Sequence, residues 1–362
     1  MSIQRRISRK IRIGTVEVGG DAPVSIQSMT NTDTRDVAAT LDQINRLARL
    51  GCEIIRVAVP DEAAADALAE LTEKSPLPVI ADIHFDYRLA LRAIDRHVTA
   101  IRLNPGNLDS PEHIRLVAES AVRHGVPIRV GANTGSLRPA VIRSMMERGL
   151  SHDDALAEAL VISAMKECAL LEKFGVTEIK VALKSSSVPV TVAAYRKFAA
   201  RTDYPLHIGV TEAGGGRMGL IKGAVGIGGT LLRGIGDTVR VSLTENPVDE
   251  VAAAHDILFA LGFDTKKRLN IVSCPTCGRT KIDLIALAHA FEDAATAAGV
   301  MDKPVTVALM GCVVNGPGEA READIGIAGG KGEAVLIRHG EIVGKLGEDE
   351  IIPRLIAELK KM

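Results

Sequence analysis

The sequence has no tryptophan, three tyrosines and six phenylalanines among 362 residues. Unpaired bases need aromatic faces to stack on, so a base-stacking surface is not expected. Positive charge is not in excess either: 44 lysines and arginines stand against 45 acids, a formal net charge of −1. That excludes a nucleic-acid binder working through bulk charge. No apolar run approaches the roughly 18–20 residues that span a bilayer, so no membrane segment is expected. The basic start Arg5-Arg6-Ile7-Ser8-Arg9-Lys10 is followed by no apolar segment, and no secretory signal is expected. Five cysteines in a chain of this length make no disulfide framework; a reduced, cytoplasmic setting fits them.

What the sequence does have is apolar material in a repeating order. Apolar residues make up 46% and the mean hydropathy is +0.16, enough for a large core. The length predicts one large domain and a smaller one. A strand pair is expected near the start, Ile11 to Val18 turning at Gly19-Gly20-Asp21 and returning at Val24 to Met29. Short β-branched runs then alternate with Ala/Leu-rich segments of helical period. The runs are Val24–Met29, Glu53–Val59, Val79–His84, Ala100–Asn104, Pro127–Gly131, Glu178–Leu183, Leu206–Thr211 and Thr238–Leu243. Helices are expected at 35–50, 61–74, 111–124, 153–174 and 247–261, started by Pro60-Asp61, Ser110-Pro111 and Asn246-Pro247 and stopped by Gly51, Gly125, Gly175 and Gly262. Eight β-then-α units over about 240 residues predict an α/β fold with an N-terminal (β/α)8 TIM-type barrel. The polar stretch from Gly262 to Arg268 marks the boundary, giving a barrel domain over 1–264 and an α+β domain over 265–362. In the second domain strands are expected at 269–273, 305–310 and 324–328, a hairpin at 334–338 and 341–345, and helices at 280–298 and 348–360.

A barrel of this kind builds its site from the C-terminal ends of its strands. Those positions hold Arg56, Asp82 with His84, Arg102 with Asn104, Arg129 with Asn133, Lys184, His207 with Glu212, and Arg240 with Ser242. Four arginines and a lysine converging on one mouth repel one another unless an anion holds them. Arginine forks suit phosphate oxygens and lysine adds a point charge, so a small, multiply phosphorylated substrate is expected. For any one of these residues an internal ion pair, such as Arg56 with Asp82, is an equally ordinary use; the accumulation of cations carries the inference. The run Gly226-Ile227-Gly228-Gly229 imitates a dinucleotide loop, but it follows the seventh strand inside a helical stretch, so close helix packing is the expected use. Cys52 and Cys168 are expected in the core.

The remaining three cysteines sit in two loops that each follow an apolar run: Ser273-Cys274-Pro275-Thr276-Cys277-Gly278 and Gly311-Cys312-Val313-Val314-Asn315-Gly316-Pro317-Gly318-Glu319. Thiolates gathered this way hold zinc or an iron–sulfur cluster, or form a redox pair. A structural zinc site wants a fourth Cys or His, which neither loop offers, and a dithiol at Cys274/Cys277 leaves Cys312 unused. A [4Fe–4S] cluster with three cysteines leaves one iron for another ligand, and Glu319 is the nearest candidate. A carboxylate is a hard, weakly held ligand there, so that position could exchange for a substrate oxygen.

These loops, together with Gly209-Val-Thr-Glu212-Ala-Gly and Gly234-Ile-Gly-Asp-Thr-Val-Arg240-Val-Ser242, resemble those of the bacterial hydroxymethylbutenyl diphosphate synthases, the IspG/GcpE family, in its compact two-domain form. The resemblance runs through essentially the whole chain. It implies conversion of 2-C-methyl-D-erythritol 2,4-cyclodiphosphate to hydroxymethylbutenyl diphosphate in the non-mevalonate isoprenoid pathway, by two-electron reductive ring opening with loss of water. It implies [4Fe–4S] ligands at Cys274, Cys277, Cys312 and Glu319, and substrate-facing positions at Arg56, Asp82, His84, Arg102, Arg129, Asn133, Lys184, Glu212 and Ser242. Glu212 is the candidate proton donor to the leaving hydroxyl, with His84 orienting the diphosphate. Flavodoxin or ferredoxin is the implied electron donor. The short linker after the last barrel helix leaves the second domain far from its own barrel mouth, so a head-to-tail homodimer is expected, as in the family. Two other readings stand beside this one: a phosphosugar lyase or aldolase barrel using Lys184 as a Schiff base with a structural zinc domain, and a non-enzymatic electron carrier or cluster scaffold.

Overall fold

The computed structural model describes residues 3–108, 110–263, 268–314 and 316–362; residues 264–267 of the expected boundary and Asn315 of the second cysteine loop lie outside the described residues. The chain divides into two compact units, Met1–Phe263 and Asp264–Met362.

In the first unit, strands β1 (Ile11–Ile13) and β2 (Val16–Val18) form an antiparallel hairpin. The barrel strands are β3 (Ser25–Met29), β4 (Ile54–Ala58), β5 (Val79–Asp82), β6 (Ala100–Arg102), β7 (Ile128–Asn133), β8 (Ile179–Lys184), β9 (His207–Ile208) and β10 (Thr238–Val239). They make one parallel sheet in the order β8-β7-β6-β5-β4-β3-β10-β9, and a parallel bridge from Val181 to Leu206 joins its two ends. The (β/α)8 expectation is met. Helices α1 (Val37–Arg49), α2 (Glu62–Lys74), α3 (Tyr87–Asp95), α4 (Pro111–His124), α5 (Pro139–Glu147), α6 (His152–Lys173), α7 (Val188–Ala199), α8 (Gly216–Leu231) and α9 (Pro247–Ala260) accompany them. Their starts are capped as the sequence suggests: Asp61 accepts from the Ala64 N–H, Ser110 from His113 and Asn246 from Val248.

Strand period two divides the barrel residues into two sets. Ile55 and Val57, Ala81 and Ile83, Ile101 and Leu103, Ile128 and Val130, Val181 and Leu183, Val239 and Val241 join the core formed with the helices. The alternate set, including Arg56, Asp82, Arg102, Arg129, Lys180, Lys184 and His207, is left for the interior.

Some expectations are corrected. Ile11 to Val18 is not one strand paired with 24–29; it is the β1–β2 hairpin itself, turning at Gly14, whose φ of +57° suits glycine. Ile11, Ile13 and Val18 pack on Ile54, Ile80 and Ala100 near the starts of barrel strands, which closes the end of the barrel opposite the strand C-termini. Helix α5 falls in a stretch where no helix is expected; Pro139 opens it and Met145 buries against Ala155 and Ala159 of α6. The last two barrel strands are also shorter than their apolar runs, because side chains take over the ladder: Asp237 accepts the Leu206 N–H at 2.7 Å and Glu250 the Leu243 N–H at 2.9 Å.

The second unit is a five-stranded sheet, β11 (Asn270–Ser273), β12 (Thr306–Met310), β13 (Ile325–Gly329), β14 (Glu333–Arg338) and β15 (Glu341–Gly347), in that order. The first three are parallel and the last two complete an antiparallel hairpin. Helices α10 (Leu284–Ala297) and α12 (Ile351–Leu359) cover one face around Phe291 and Leu355, and the one-turn α11 (Gly316–Glu319) lies after β12. Both long helices start later than expected, α10 behind the Asp283 cap and α12 behind a 3-10 turn over Glu348–Glu350.

The glycine-rich helix α8 packs as its composition suggests. A Cβ on Gly226 would run into Val210 Cγ2, whereas one on Gly228 would meet nothing nearer than Leu261 at 3.9 Å. Alanine gains about 1 kcal/mol over glycine inside a helix, and overpacking costs about 1–3 kcal/mol. G226A is therefore expected to lower the unfolding free energy and G228A to raise it by up to about 1 kcal/mol; denaturant titration of the two variants reads the opposite signs.

Candidate functional site

The C-terminal ends of the barrel strands gather cations. Arg56, Arg102, Arg129, Lys180 and Lys184 are all buried, and Arg240 is partly so. Asp82 is the hub of their pairing: Arg102 Nη1 lies 3.1 Å from Oδ1 and Arg56 Nε 3.6 Å from Oδ2. The same Arg102 nitrogen is 3.0 Å from His84 Nε2, and His84, exposed at the rim, lies 3.7 Å from Asp82. Arg240 pairs with Glu250 at 3.3 Å. Met29 offers its sulfur to Arg56 at 3.1 Å and to Arg240 at 3.6 Å, a soft acceptor between two guanidiniums.

The electrostatics follow from this crowding. Burial works against the Asp82 charge, but Arg56, the His84 contact, Arg102 and Arg129 outweigh it and hold the carboxyl well below the usual range. Burial, then Arg240 and Arg102 against the opposing pull of Asp82, brings Arg56 down to about 10. Arg129 is lowered further, by burial and then by Arg56 and Arg102. Its Nε and Nη1, and Arg102 Nε, are buried without a hydrogen-bond partner among the described residues. Buried N–H groups of this kind are costly, and they point to an anion as the missing partner. Glycines border these cations: a Cβ on Gly131 would lie 3.0 Å from Arg129 Nη2, and one on Gly209 would meet the Arg240 carbonyl oxygen at 2.5 Å and Lys184 Nζ at 3.1 Å.

The structure thus brings Arg56, Asp82, His84, Arg102, Arg129 and Lys184 to one end of the barrel, on the interior phase of its strands. Asn133 ends β7 and Ser242 follows β10, both partly buried. Glu212 is exposed on the loop after β9, its φ of +53° turning the chain out of strand phase. Sequence reasoning left out Lys180, which is fully buried and bonds Gln27 across the barrel at 3.2 Å, and Glu250. Lys180 shares the strand phase of Lys184, a signal that could have found it. Beside the mouth, a cavity of about 380 Å³ is lined by Asn104, Arg138, Ser163, Lys166 and Glu167 among others, and burial raises the Glu167 carboxyl to about 7.

In the second unit, β11 and β12 are parallel neighbours with Ser273 opposite Leu309. Their following loops therefore emerge side by side. Cys274, Cys277, Cys312 and Glu319 line one cavity of about 190 Å³, together with Arg279. The Gly311 N–H donates to Cys274 Sγ at 3.3 Å, and the Cys277 N–H to Thr280 Oγ1 at 3.0 Å. The Arg279 backbone N–H, followed by its side chain, holds the Cys277 thiol below its ordinary value. Among the described residues no three His, Cys, Asp or Glu side chains close to the spacing of a single metal ion. The donor set suits a larger centre: three sulfurs and a carboxylate around one cavity, an N–H aimed at a sulfur, and a guanidinium to balance thiolate charge. Arg279 went unnoticed in the sequence because it lies outside the cysteine pattern. Cys52 and Cys168 are buried, and burial pushes the Cys52 thiol up to about 12.

The sequence matches the GcpE TIM-barrel domain over residues 8–255 and the GcpE protein C-terminal domain over residues 270–361. It is 55% identical over 355 residues to the 4-hydroxy-3-methylbut-2-en-1-yl diphosphate synthase (flavodoxin) of Geobacter sulfurreducens, covering 98% of each chain. It is 49% identical to the protein of that name from Caldanaerobacter subterraneus, covering 99% of this chain and 98% of that one. The corresponding Clostridium tetani protein is 47% identical, covering 99% of this chain and all of the other. Among solved structures, a dihydropteroate synthase from Coxiella burnetii superimposes with a TM-score of 0.50 at 12% identity, covering 71% of this chain and 100% of that one, a likeness of fold alone.

Removing the hub charge tests the crowding directly. D82N leaves Arg56 and Arg102 without their carboxylate, a change that costs about 3–5 kcal/mol for a buried pair. Denaturant titration should show that loss, and saturating pyrophosphate should restore about 2–3 kcal/mol of it by binding the folded state.

Proposed function

The chain belongs to the GcpE family, and on that premise we propose that it converts 2-C-methyl-D-erythritol 2,4-cyclodiphosphate to 4-hydroxy-3-methylbut-2-en-1-yl diphosphate. Two electrons and two protons enter, a carbon–oxygen bond to the diphosphate opens, and a hydroxyl leaves as water. The observation that carries the reading is the set of buried guanidinium N–H groups on Arg102 and Arg129 that lack partners among the described residues. A diphosphate satisfies them, and Arg56 and Lys184 stand beside them.

The residues divide the work. Arg56, Arg102, Arg129 and Lys184 bind the diphosphate and stabilise the negative charge that grows on it as the ring opens; fixed donors in a water-poor site do this without reorganising. Asp82 orients Arg56 and Arg102, and His84 extends that network to the rim. Asn133 and Ser242 supply neutral donors. Glu212 delivers a proton to the leaving hydroxyl. In the second unit, Cys274, Cys277, Cys312 and Glu319 hold a [4Fe–4S] cluster, with Arg279 beside it. When bound, the cluster supplies electrons singly. A flavodoxin is the electron donor that the relatives' names support.

The last barrel helix, α9, runs antiparallel to the strands, so the chain leaves the barrel at the end opposite the mouth. A head-to-tail homodimer, each cluster facing the partner's barrel, completes two sites. The lyase or aldolase alternative with structural zinc is not favoured, since the curated relatives carry the synthase name.

An anaerobic preparation is expected to be brown and to hold about four irons and four sulfides per chain, with C312S sharply reduced in both; a colourless, iron-free protein would sink the reading. Separately, E212Q should keep its iron and lose about 10²–10⁴ in turnover. Mixed in equal amounts, inactive E212Q and inactive C312S subunits should recover about a quarter of the activity, because one site in each mixed dimer is intact. No recovery rules out the shared-site dimer, and near-normal turnover by E212Q alone rules out its proton role.

A further inference from the structure

His207 opens β9 fully buried in the barrel. Its Nε2 lies 3.4 Å from Lys184 Nζ, and its Nδ1 lies 2.6 Å from Thr238 Oγ1 on the neighbouring strand. The backbone around it is pinned as well: the Tyr195 hydroxyl donates to the His207 carbonyl at 2.6 Å and accepts the Leu183 N–H at 3.2 Å. Burial, then the charges of Lys184, Arg129, Lys180 and Arg56, hold the imidazole far below its ordinary value and favour the neutral ring.

A neutral imidazole has one donor nitrogen and one acceptor, whereas an ammonium has three donors and no acceptor. Beside a charged Lys184, Nε2 must therefore accept. The ring proton then sits on Nδ1 and goes to Thr238. Lys184 needs this support: burial, followed by Arg129, Arg240 and Arg56, works against its charge, and Glu250 is the carboxylate that opposes them.

We infer that His207 is a positioning residue for diphosphate binding: Thr238 fixes the tautomer that accepts at Nε2, and this keeps Lys184 protonated with its remaining N–H bonds turned to the anion. The inference rests on the reading of the mouth as a diphosphate site. Gly209 suits this close packing, since a Cβ there would meet the Arg240 carbonyl oxygen at 2.5 Å and Lys184 Nζ at 3.1 Å. His207 touches no substrate and acts through the lysine.

Titration calorimetry of the whole protein with inorganic pyrophosphate, from about pH 6 to about pH 9, tests it. H207L should weaken binding about tenfold or more near neutrality, the scale of a hydrogen bond to a charged group. It should also move to lower pH the point above which affinity falls, because Lys184 then loses its proton sooner. H207Q, whose amide oxygen can stand in for Nε2, should recover most of the loss. T238V should move the pH edge in the same direction by less. Unchanged affinity and pH edge in H207L overturn the inference, as does an equal loss in H207L and H207Q with the edge unmoved. If H207L does not fold, T238V decides, and an unmoved edge overturns the inference. Wild-type protein that fails to bind pyrophosphate overturns it too. His207-dependent pyrophosphate binding by a protein that does not bind the cyclic diphosphate leaves the inference standing and removes the functional reading instead.

Discussion

Positive charge confined where water does not reach is the constraint on which the barrel is arranged. Arg56, Arg102 and Arg129 come from β4, β6 and β7, with Asp82 on β5 between them, and after burial Arg102 adds to the lowering of both Arg56 and Arg129. Ion pairs are found for only part of this charge, through Asp82 and Glu250. A buried charge without a partner costs several kcal/mol, so the groups stay in place only because strand phase and the surrounding apolar shell leave them nowhere else to go. The layer of helices outside and the hairpin against Ile54, Ile80 and Ala100 supply that rigidity. The arrangement is preorganised for an anion before one arrives.

The second unit meets the opposite demand. Thiolates are anionic ligands, and they are offered at a partly exposed cavity rather than inside a core. The parallel pairing of β11 and β12 fixes how far apart the two loops start, and backbone N–H groups from Gly311 and Arg279 reach two of the sulfurs. The two units thus differ in what they gather: buried cations in the first, sulfurs and a carboxylate around one cavity in the second.

Much of this was readable in the sequence because barrel strands have a period of two. Once Arg56, Arg102 and Arg129 are set on strand ends, their phase puts them in the interior. Lys180 obeys the same rule but sits a turn of the pleat deeper, where a charge is least expected. The first hairpin was misplaced because Gly19-Gly20-Asp21 is a stronger turn signature than Gly14-Thr15; only packing beneath the barrel decides between them. The cysteine loops were legible as a pattern, whereas Arg279 has no pattern to belong to. The contact between His207 and Thr238 joins two strands 31 residues apart, and no local rule reports it.

The register of β11 and β12 also orders assembly in time. Cys274 and Cys277 are local to one another, but Cys312 lies 38 residues beyond Cys274 and reaches the same cavity only after β12 has paired with β11. A chain emerging during synthesis therefore presents two sulfurs and no third until nearly the whole protein has been made. The cavity is completed late, when the barrel strands have already been synthesised, and a metal centre built there would enter a largely folded protein rather than template its folding.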